Sequence, residues 1–569
     1  MKYDVAIIGG GPAGTTCGGL LKKYNPNLRV AIFERERFPR DHIGESQLPM
    51  ICGVLDELGV WDKVEAADFP IKVGATYRWG NSDDLWDFNF LPDGDLAEEP
   101  RPAKFEGQRK QTAFQVDRSI YDKILLDHAR ELGVEVFEET QVREIDRNGD
   151  FVNGFVLAGG QRVEARYYVD ASGNSALLRR AMGVEVDEPS NLRNIATWDY
   201  WQNAEWAVNI GVGGTRIQVM SLGYGWIWFI PLGPTRTSIG FVCPAEFYKE
   251  SGLKPEQLLL KAIDDEPRIR ELTKKGTREG KLSTTKDWSF IAKRMAGENW
   301  LITGEAAGFA DPILSAGMSL AHSSGREAAY SILEADRGAS KAWLFNQFEQ
   351  SNKRKILQHI RFADYWYTAN AHFSDLKEYT TLIAKDAGLE LDAEAAFQWL
   401  GTGGFVETDM TVGGIALFNL GGIALIAKNL SAKPAEAKID GKSLFVLNLR
   451  DAEPVEFAYY DRGYVLRIPG FRRDGKTLPM MGTFAWVVEA LRHSPQLDIA
   501  ATYIRDEMAK QGQTYDNKFH ANLIDTLEAM ARDGWVKPKA YAGGTAINVS
   551  FADDNAYIRK NSDTQKAST

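Results

Sequence analysis

Lys72 sits in the run Phe69-Pro70-Ile71-Lys72-Val73-Gly74, an amine flanked by apolar and turn-forming residues. Lysines are ordinarily solvated. One held among apolar neighbours has its pKa lowered, because burial penalises the charged form, and it becomes available for chemistry near neutral pH. A second group of residues handles phosphate. Gly9-Gly10-Gly11-Pro12-Ala13-Gly14 follows an apolar run, and an acid, Glu34, comes about 20 residues later. At this spacing Gly9 allows a tight turn, Gly11 lets backbone approach a pyrophosphate, and Gly14 lets helix and strand pack closely. The N–H groups of the helix start then hold the phosphates, and Glu34 accepts from ribose hydroxyls. A third group is Gly225-Trp226-Ile227-Trp228-Phe229-Ile230-Pro231, two tryptophans alternating with apolar residues up to a proline. Metal chemistry has little support. The seven histidines show no H-x-H or H-E-x-x-H spacing, and Cys17, Cys52 and Cys243 lie far apart with no C-x-x-C pair.

Each group needs an element to position it. Tyr3 to Ile8 reads as a central parallel strand, with a helix to Lys23 and a second strand from Leu28 to Phe33. That is the strand–glycine turn–helix–strand context the fingerprint requires, and it leaves FAD and NAD both open. Period-2 geometry puts Trp226, Trp228 and Ile230 on one face of a strand and Ile227 and Phe229 on the other, so the strand is expected to be buried on both faces. Thr197 to Trp201, Trp206 to Ile210 and Arg216 to Met220 read as strands leading up to it. Gly53 to Leu58 and Phe345 to Asp364 read as helices.

At 569 residues the chain is too long for one core. Its 44% hydrophobic and 25% charged content are those of an ordinary globular protein, and a net charge of −11 argues against a nucleic-acid surface. The cysteine pattern suits a reducing cytosol, and the N-terminus, a strand from its first residues, leaves no room for a signal peptide. Val412 to Ala427 is apolar but broken by glycines and shorter than the ~20 residues of a membrane span, so it is expected to be a buried segment.

Trp226 to Pro231 is W-x-W-x-I-P, and in this it resembles flavin-dependent halogenases residue for residue. Arg40 to Pro49 resembles the G-E-S-x-x-P segment of the same family, which lies beside the flavin, and contributes Arg40, Gly44, Glu45 and Ser46. Val116 to Asp122 looks like the arginine-bearing helix start of aromatic-hydroxylase-type flavoproteins, with Asp117 as N-cap and Arg118 approaching the cofactor. Asp170-Ala171-Ser172-Gly173 resembles the turn that closes the FAD cradle. Trp300 to Ser319 looks like the second FAD fingerprint, with Gly304, Pro312, Gly317 and Met318 as contacts, although Glu305 stands where the family has aspartate. The resemblance covers roughly the first three-fifths of the chain.

It implies an α/β fold: a Rossmann-like FAD-binding domain with an inserted mixed sheet, and a largely helical C-terminal region. Residues 1–340 form the halogenase core, with FAD-binding segments 1–70, 110–185 and 280–340 and insertions 71–109 and 190–280. Residues 341–569 form a C-terminal α/β region. There Lys442 to Pro469 reads as strands with a hairpin at Asp461 to Gly463, 484–540 as a winged-helix-like module, and the tail after Asp553 as disordered.

The cofactors implied are FAD as FADH2, dioxygen, and chloride or bromide, with Gly9, Gly11, Pro12, Ala13, Gly14, Glu34 and Arg35 among the flavin contacts. Lys72, with Ser315, is implied to direct hypohalous acid onto one carbon of the substrate, either by a hydrogen bond or as a haloamine. Trp226, Trp228, Ile230 and Pro231 would wall the substrate off from the flavin, and Ser315, Ala316 and Gly317 would lie at the halide. Tryptophan halogenases place a glutamate just before that serine. Here the residue is Leu314, which favours phenols, pyrroles or acyl groups, often on a carrier protein. The implied partners are such a substrate and, since no second dinucleotide motif is found, a separate flavin reductase; no nucleic acid and no membrane span are expected. Two rivals stand beside this reading. One is an FAD-dependent monooxygenase or a prenyl reductase, whose Y-x-W-x-F-P strand is approached by Tyr224 to Pro231; the other is a non-catalytic flavin redox sensor.

Overall fold

The computed structural model describes residues 1–78, 85–91, 96, 99–189, 193–371, 437–474, 476–548 and 558–560. The chain divides into two compact units, Met1–Phe373 with Tyr460–Val465 and Arg559–Thr569, and Ser374–Tyr459 with Leu466–Ile558.

Lys2–Ile8 is the centre of a parallel sheet, with Val30–Phe33 on one side and Arg162–Asp170 on the other. Glu135–Phe137 extends one edge and Trp300–Ile302 pairs in parallel beside Arg162–Asp170. Val5 to Ile8 and Val30 to Phe33 are buried throughout, the near-continuous apolar run of a sheet covered on both faces. Between the first strand and the helix Pro12–Tyr24 the chain must turn within a few residues. Gly9 does so at φ 102°, and a Cβ there would come 2.3 Å from the Ala171 carbonyl oxygen; one on Gly14 would come 2.0 Å from the Gly9 carbonyl oxygen. Only glycine fits either place.

The second layer of this unit is a mixed sheet. Its middle strand, Gly225–Pro231 (the tryptophan strand), lies antiparallel between Gly214–Leu222 and Arg236–Pro244. Arg193–Gln202 pairs with Arg236–Pro244 on one side. On the other, Gly214–Leu222 pairs in parallel with Ile71–Arg78 (the lysine strand), which Leu85–Asn89 flanks. The tryptophan strand is buried on both faces, as its pattern predicts: Ile227 and Phe229 join a core with Met220, Ile239, Phe241 and Leu259. Trp206 to Ile210 is not a strand. That segment is half-exposed, and its one β-bridge among the described residues is Ile210 to Gly214, where Gly211 and Gly213, both at positive φ, turn the chain. The helix Met50–Leu58 follows the G-E-S-x-x-P segment, and Ala316–Asp336 and Lys341–Ala371 are the long helices of this unit.

In the second unit, helices Gly482–His493, Leu497–Lys510 and Asn517–Arg532 are followed by Val536–Lys539, antiparallel to Leu444–Leu447. Val488, Ile504, Met530, Trp535 and Phe445 share one core. Glu453–Asp461 and Tyr464–Arg473 are joined by Arg462 and Gly463, both at positive φ, the tight hairpin expected there, whose turn Tyr460–Val465 is counted with the first unit. The apolar stretch Val412 to Ala427 lies outside the described residues, as does the tail after Asp553 apart from the strand Ile558–Lys560. Among the described residues no helix is long and apolar enough to cross a membrane.

Candidate active site

Strict alternation along the lysine strand would put Lys72 on the face of Thr76 and Arg78. The register shows otherwise: Thr215 pairs with Lys72 and Arg216 with Gly74, so Val73 is one residue too many. This bulge turns Lys72 to the face shared by Ala75, Tyr77 and, across the sheet, Ile217 and Val219. Gly74 makes it possible, at φ 157° with no room for a Cβ against the Phe88 carbonyl oxygen at 2.0 Å. Lys72 is buried, 2% exposed, with its Nζ 5.5 Å from the Phe90 ring centroid and donating to Ser315 Oγ at 3.2 Å. Burial brings its amine down to about 7. No carboxylate pairs with it among the ion pairs of the described residues.

Ser315 is reached from far along the chain. Asp311 caps the short turn Pro312–Leu314 by accepting from the Ile313 N–H at 2.9 Å, and Ser315 at φ 58° redirects the chain into the helix Ala316–Asp336. The Ser315 N–H donates to the Pro312 carbonyl at 2.9 Å. Ala316 and Gly317 are the first two residues of that helix, where N–H groups lack intrahelical acceptors.

Trp226 and Trp228 are buried, their ring centroids 5.9 Å apart, and Trp198 lies 6.5 Å from Trp228. The Trp228 indole N–H donates to Ser238 Oγ at 3.1 Å. Its ring fills the space over Gly240, where a Cβ would come within 2.1 Å of it. Two strands thus present rigid aromatic area to the side on which Lys72 lies.

A cavity of about 380 Å³ runs between the two layers, from Glu34 and Arg35 at one end to Trp226, Trp228, Ile230 and Ser315 at the other. It suits a dinucleotide-sized flavin. A Cβ on Gly317 would meet nothing within 4 Å and one on Gly11 only the Arg40 guanidinium at 3.7 Å, so both backbones open into the cavity. Glu34 accepts from the Gly10 and Glu36 N–H groups at 2.7 and 2.9 Å, which leaves lone pairs on each oxygen for hydroxyl donors. Pro12, Ala13, Arg40, Gly44, Glu45, Ser46 and Arg118 line the wall, as do Gly304, Glu305, Pro312 and Met318. Burial pushes the Glu305 carboxyl up and Arg118 draws it partly back. Arg118 itself is committed to protein: Nε and Nη2 donate to Asp122 at 2.7 and 2.9 Å, and Nη1 to the Ile43 and Gly44 carbonyls. It fixes the loop that borders the cavity.

Four residues singled out in the sequence do not line this cavity. Gly14 is packed against Gly9, Pro231 and Ala316 are buried beside it, and Lys72 lies behind Ser315. Ser315 is therefore the side chain that faces the cavity and touches the amine. Ile217 and Val219 line the cavity without having been singled out; Val219 pairs directly with Trp228, and its alternation with Arg216 and Gln218 was the available signal.

A family model described as tryptophan halogenase matches residues 4–107 and 93–376. A 1H-pyrrole-2-carbonyl-(peptidyl-carrier protein) chlorinase of Pseudomonas fluorescens strain Pf-5 is 32% identical over 384 residues, 65% of this chain and 85% of the relative. The structure of the myxobacterial chondrochloren halogenase CndH, described as a new variant of FAD-dependent halogenases, is similar at 29% identity and a TM-score of 0.59, over 68% of this chain and 90% of its own. The crystal structure of CmlS, a flavin-dependent halogenase, is alike in fold at 22% identity and a TM-score of 0.69, over 96% of this chain and 98% of its own.

Proposed function

Since this chain belongs to the tryptophan halogenase family and is a flavin-dependent halogenase, an oxidoreductase using FADH2, dioxygen and chloride or bromide, we propose that it halogenates an electron-rich ring or activated acyl group carried on a carrier protein. The similarity to a pyrrole chlorinase acting on a peptidyl-carrier protein supports this substrate class, as does Leu314 in the place of a glutamate. The observation that carries the reading is the buried Lys72 amine hydrogen-bonded to Ser315, the residue that faces the cavity.

Reduced flavin and dioxygen, when bound, supply the oxidising equivalent that converts halide to hypohalous acid. The protein's part is to bind and to exclude. The glycine turn, Glu34 and the helix starts hold the cofactor. The tryptophan strand keeps the substrate away from it, so that only a small oxidant passes. Ser315 and Gly317 line the halide end, with Ala316 buried beside them. Lys72 holds the hypohalous acid and orients it, so that one carbon exchanges its hydrogen for halogen and the oxygen leaves as water. FADH2 comes from a separate reductase, and the chain acts in the cytoplasm.

Mass spectrometry tests this directly. Candidate pyrrolyl, phenolic and acyl groups, free and loaded on a carrier protein, are incubated with reduced flavin, oxygen and bromide. The expected product is the carrier-bound group heavier by one bromine. Bromination of free tryptophan in preference, or turnover indifferent to bromide, overturns the proposal.

A further inference from the structure

His42 lines the cavity two residues from Arg40 on one side and from Gly44 on the other. Arg40 Nη2 would lie 3.7 Å from a Cβ on Gly11, and Arg118 Nη1 would lie 3.3 Å from one on Gly44. The loop between them is held in place. Arg118 Nη1 donates to the Ile43 and Gly44 carbonyls at 2.9 and 3.0 Å, and Asp41 pairs with Arg236 at 3.5 Å. The half-buried imidazole is fixed as well, by a bond of 2.6 Å between its Nδ1 and the Ile43 carbonyl.

That bond decides what the ring can do. A backbone carbonyl only accepts, so Nδ1 carries the proton. The Ile43 oxygen has two lone pairs, and Arg118 takes the other. A protonated imidazole would set a second cation on that one oxygen. Burial, and after it Arg118, bring the ring down to about 4, with Asp122 opposing and Arg40 adding to the effect. His42 is therefore neutral near pH 7, and its Nε2 is a bare acceptor. Among the described residues nothing donates to Nε2, and protein does not enclose it.

The charge of such an acceptor limits what it can hold. An ionised phosphate has no proton to offer it, whereas a sugar hydroxyl has one. Between the pyrophosphate and the ring system of FAD runs the ribityl chain with its row of hydroxyls, each needing an acceptor once water is excluded. We infer that His42 is a flavin-binding residue, whose neutral imidazole accepts at Nε2 a hydrogen bond from a ribityl hydroxyl. This role rests on FAD occupying the cavity, as proposed above, with its pyrophosphate at Gly11 and its rings toward the tryptophan strand.

The test uses full-length protein with 15N-labelled histidine, observed by NMR at neutral pH before and after loading with oxidised FAD. The His42 ring lines are identified by their disappearance in His42→Phe. Nδ1 carries the proton, Nε2 is bare, and FAD moves the Nε2 line in the direction of hydrogen bonding. FAD analogues that each lack one ribityl hydroxyl are then bound in turn, and the one missing the partner leaves the line where it was. In titration His42→Phe binds FAD about 10-fold more weakly, the worth of one hydrogen bond, yet binds that analogue as the wild type does. His42→Gln, which keeps an acceptor oxygen, recovers most of the loss. If His42→Phe does not fold, His42→Gln makes the assignment and the ring lines decide alone. A proton on Nε2, a line that bound FAD does not move, or a loss in His42→Phe equal for FAD and every analogue overturns the inference. Binding of FAD that Gly11→Val does not weaken overturns the cavity as the flavin site, and this role with it. Because no turnover is read, a protein that binds FAD through His42 yet halogenates nothing overturns the proposed function and leaves the role of His42 standing.

Discussion

The glycine turn and the lysine strand solve opposite problems. At Gly9 to Gly14 everything needed lies within one turn of chain, and the absence of side chains makes the site: Gly11 opens into the cavity because nothing projects from it. At Lys72 a side chain is the proposed site, and its placement depends on residues far away, with Ser315 standing 243 positions along the sequence. Both regions use a glycine to do it. Gly9 lets the chain turn beside the cavity, whereas Gly74 lets a strand slip by one residue so that an amine changes face. A ligand site made of backbone can be local; a reactive group that must be dry has to be assembled from a whole sheet.

That contrast is open to attack at four points. Lys72→Ala breaks the second region alone: halogenation falls by about 1,000-fold or more, the scale of losing a group aimed at the reacting atoms, while the purified protein keeps its flavin absorbance. Joint loss of flavin would make the lysine part of the cofactor site. Gly11→Val breaks the first region alone. A branched side chain in the phosphate cradle weakens flavin binding by about 100-fold, on the order of 3 kcal/mol, with the circular dichroism of the apo-protein unchanged.

The third point concerns what burying the amine costs. With the folded-state pKa of Lys72 at about 7 against an ordinary 10.5, the unfolded chain binds more protons between these values. The full penalty on stability is therefore felt below pH 7 and fades as pH rises toward 10.5. Replacing the amine by a thioether of similar length, Lys72→Met, stabilises the protein by about 2–3 kcal/mol more at pH 6 than at pH 9. Urea unfolding at the two pH values measures the difference, and a gain independent of pH would mean that the amine is not dry. Ser315→Ala is the mildest change. It removes the partner that joins the amine to the cavity and lowers halogenation about 10-fold, the worth of one hydrogen bond, with flavin affinity unchanged by titration.

Much of the glycine-turn end of the cavity was legible in the chain because its rules are local. Gly9, Gly14 and Glu34 stand where strand, turn and helix succeed one another, and the structure brings all three to the same turn. The alternation of Trp226 and Trp228 likewise gives the face they share, since period 2 needs no knowledge of the neighbours. The same rule misleads at Trp206 to Ile210, where alternation is present but no strand among the described residues lies alongside to pair with it. It misleads again at Lys72, whose face is set by a bulge visible only in the pairing with Thr215 and Arg216. Ile217 and Val219 escaped notice for a related reason: aliphatic residues in a strand look like any core until the cavity they border is seen.

Torsional limits, side-chain periodicity and local polarity act over a few residues. The chain read alone therefore establishes that a dinucleotide-type turn is present, that two tryptophans share a strand face, and that one lysine has no polar neighbours beside it. Folding in three dimensions was needed to settle that Lys72 meets Ser315, that Arg118 is used up on Asp122 and the Gly44 loop, and that the Trp228 indole donates to Ser238. Two of those contacts, Lys72 to Ser315 and Arg118 to Gly44, join segments far apart along the chain. Burial and strand register, which no local pattern encodes, select the partner each polar group must find.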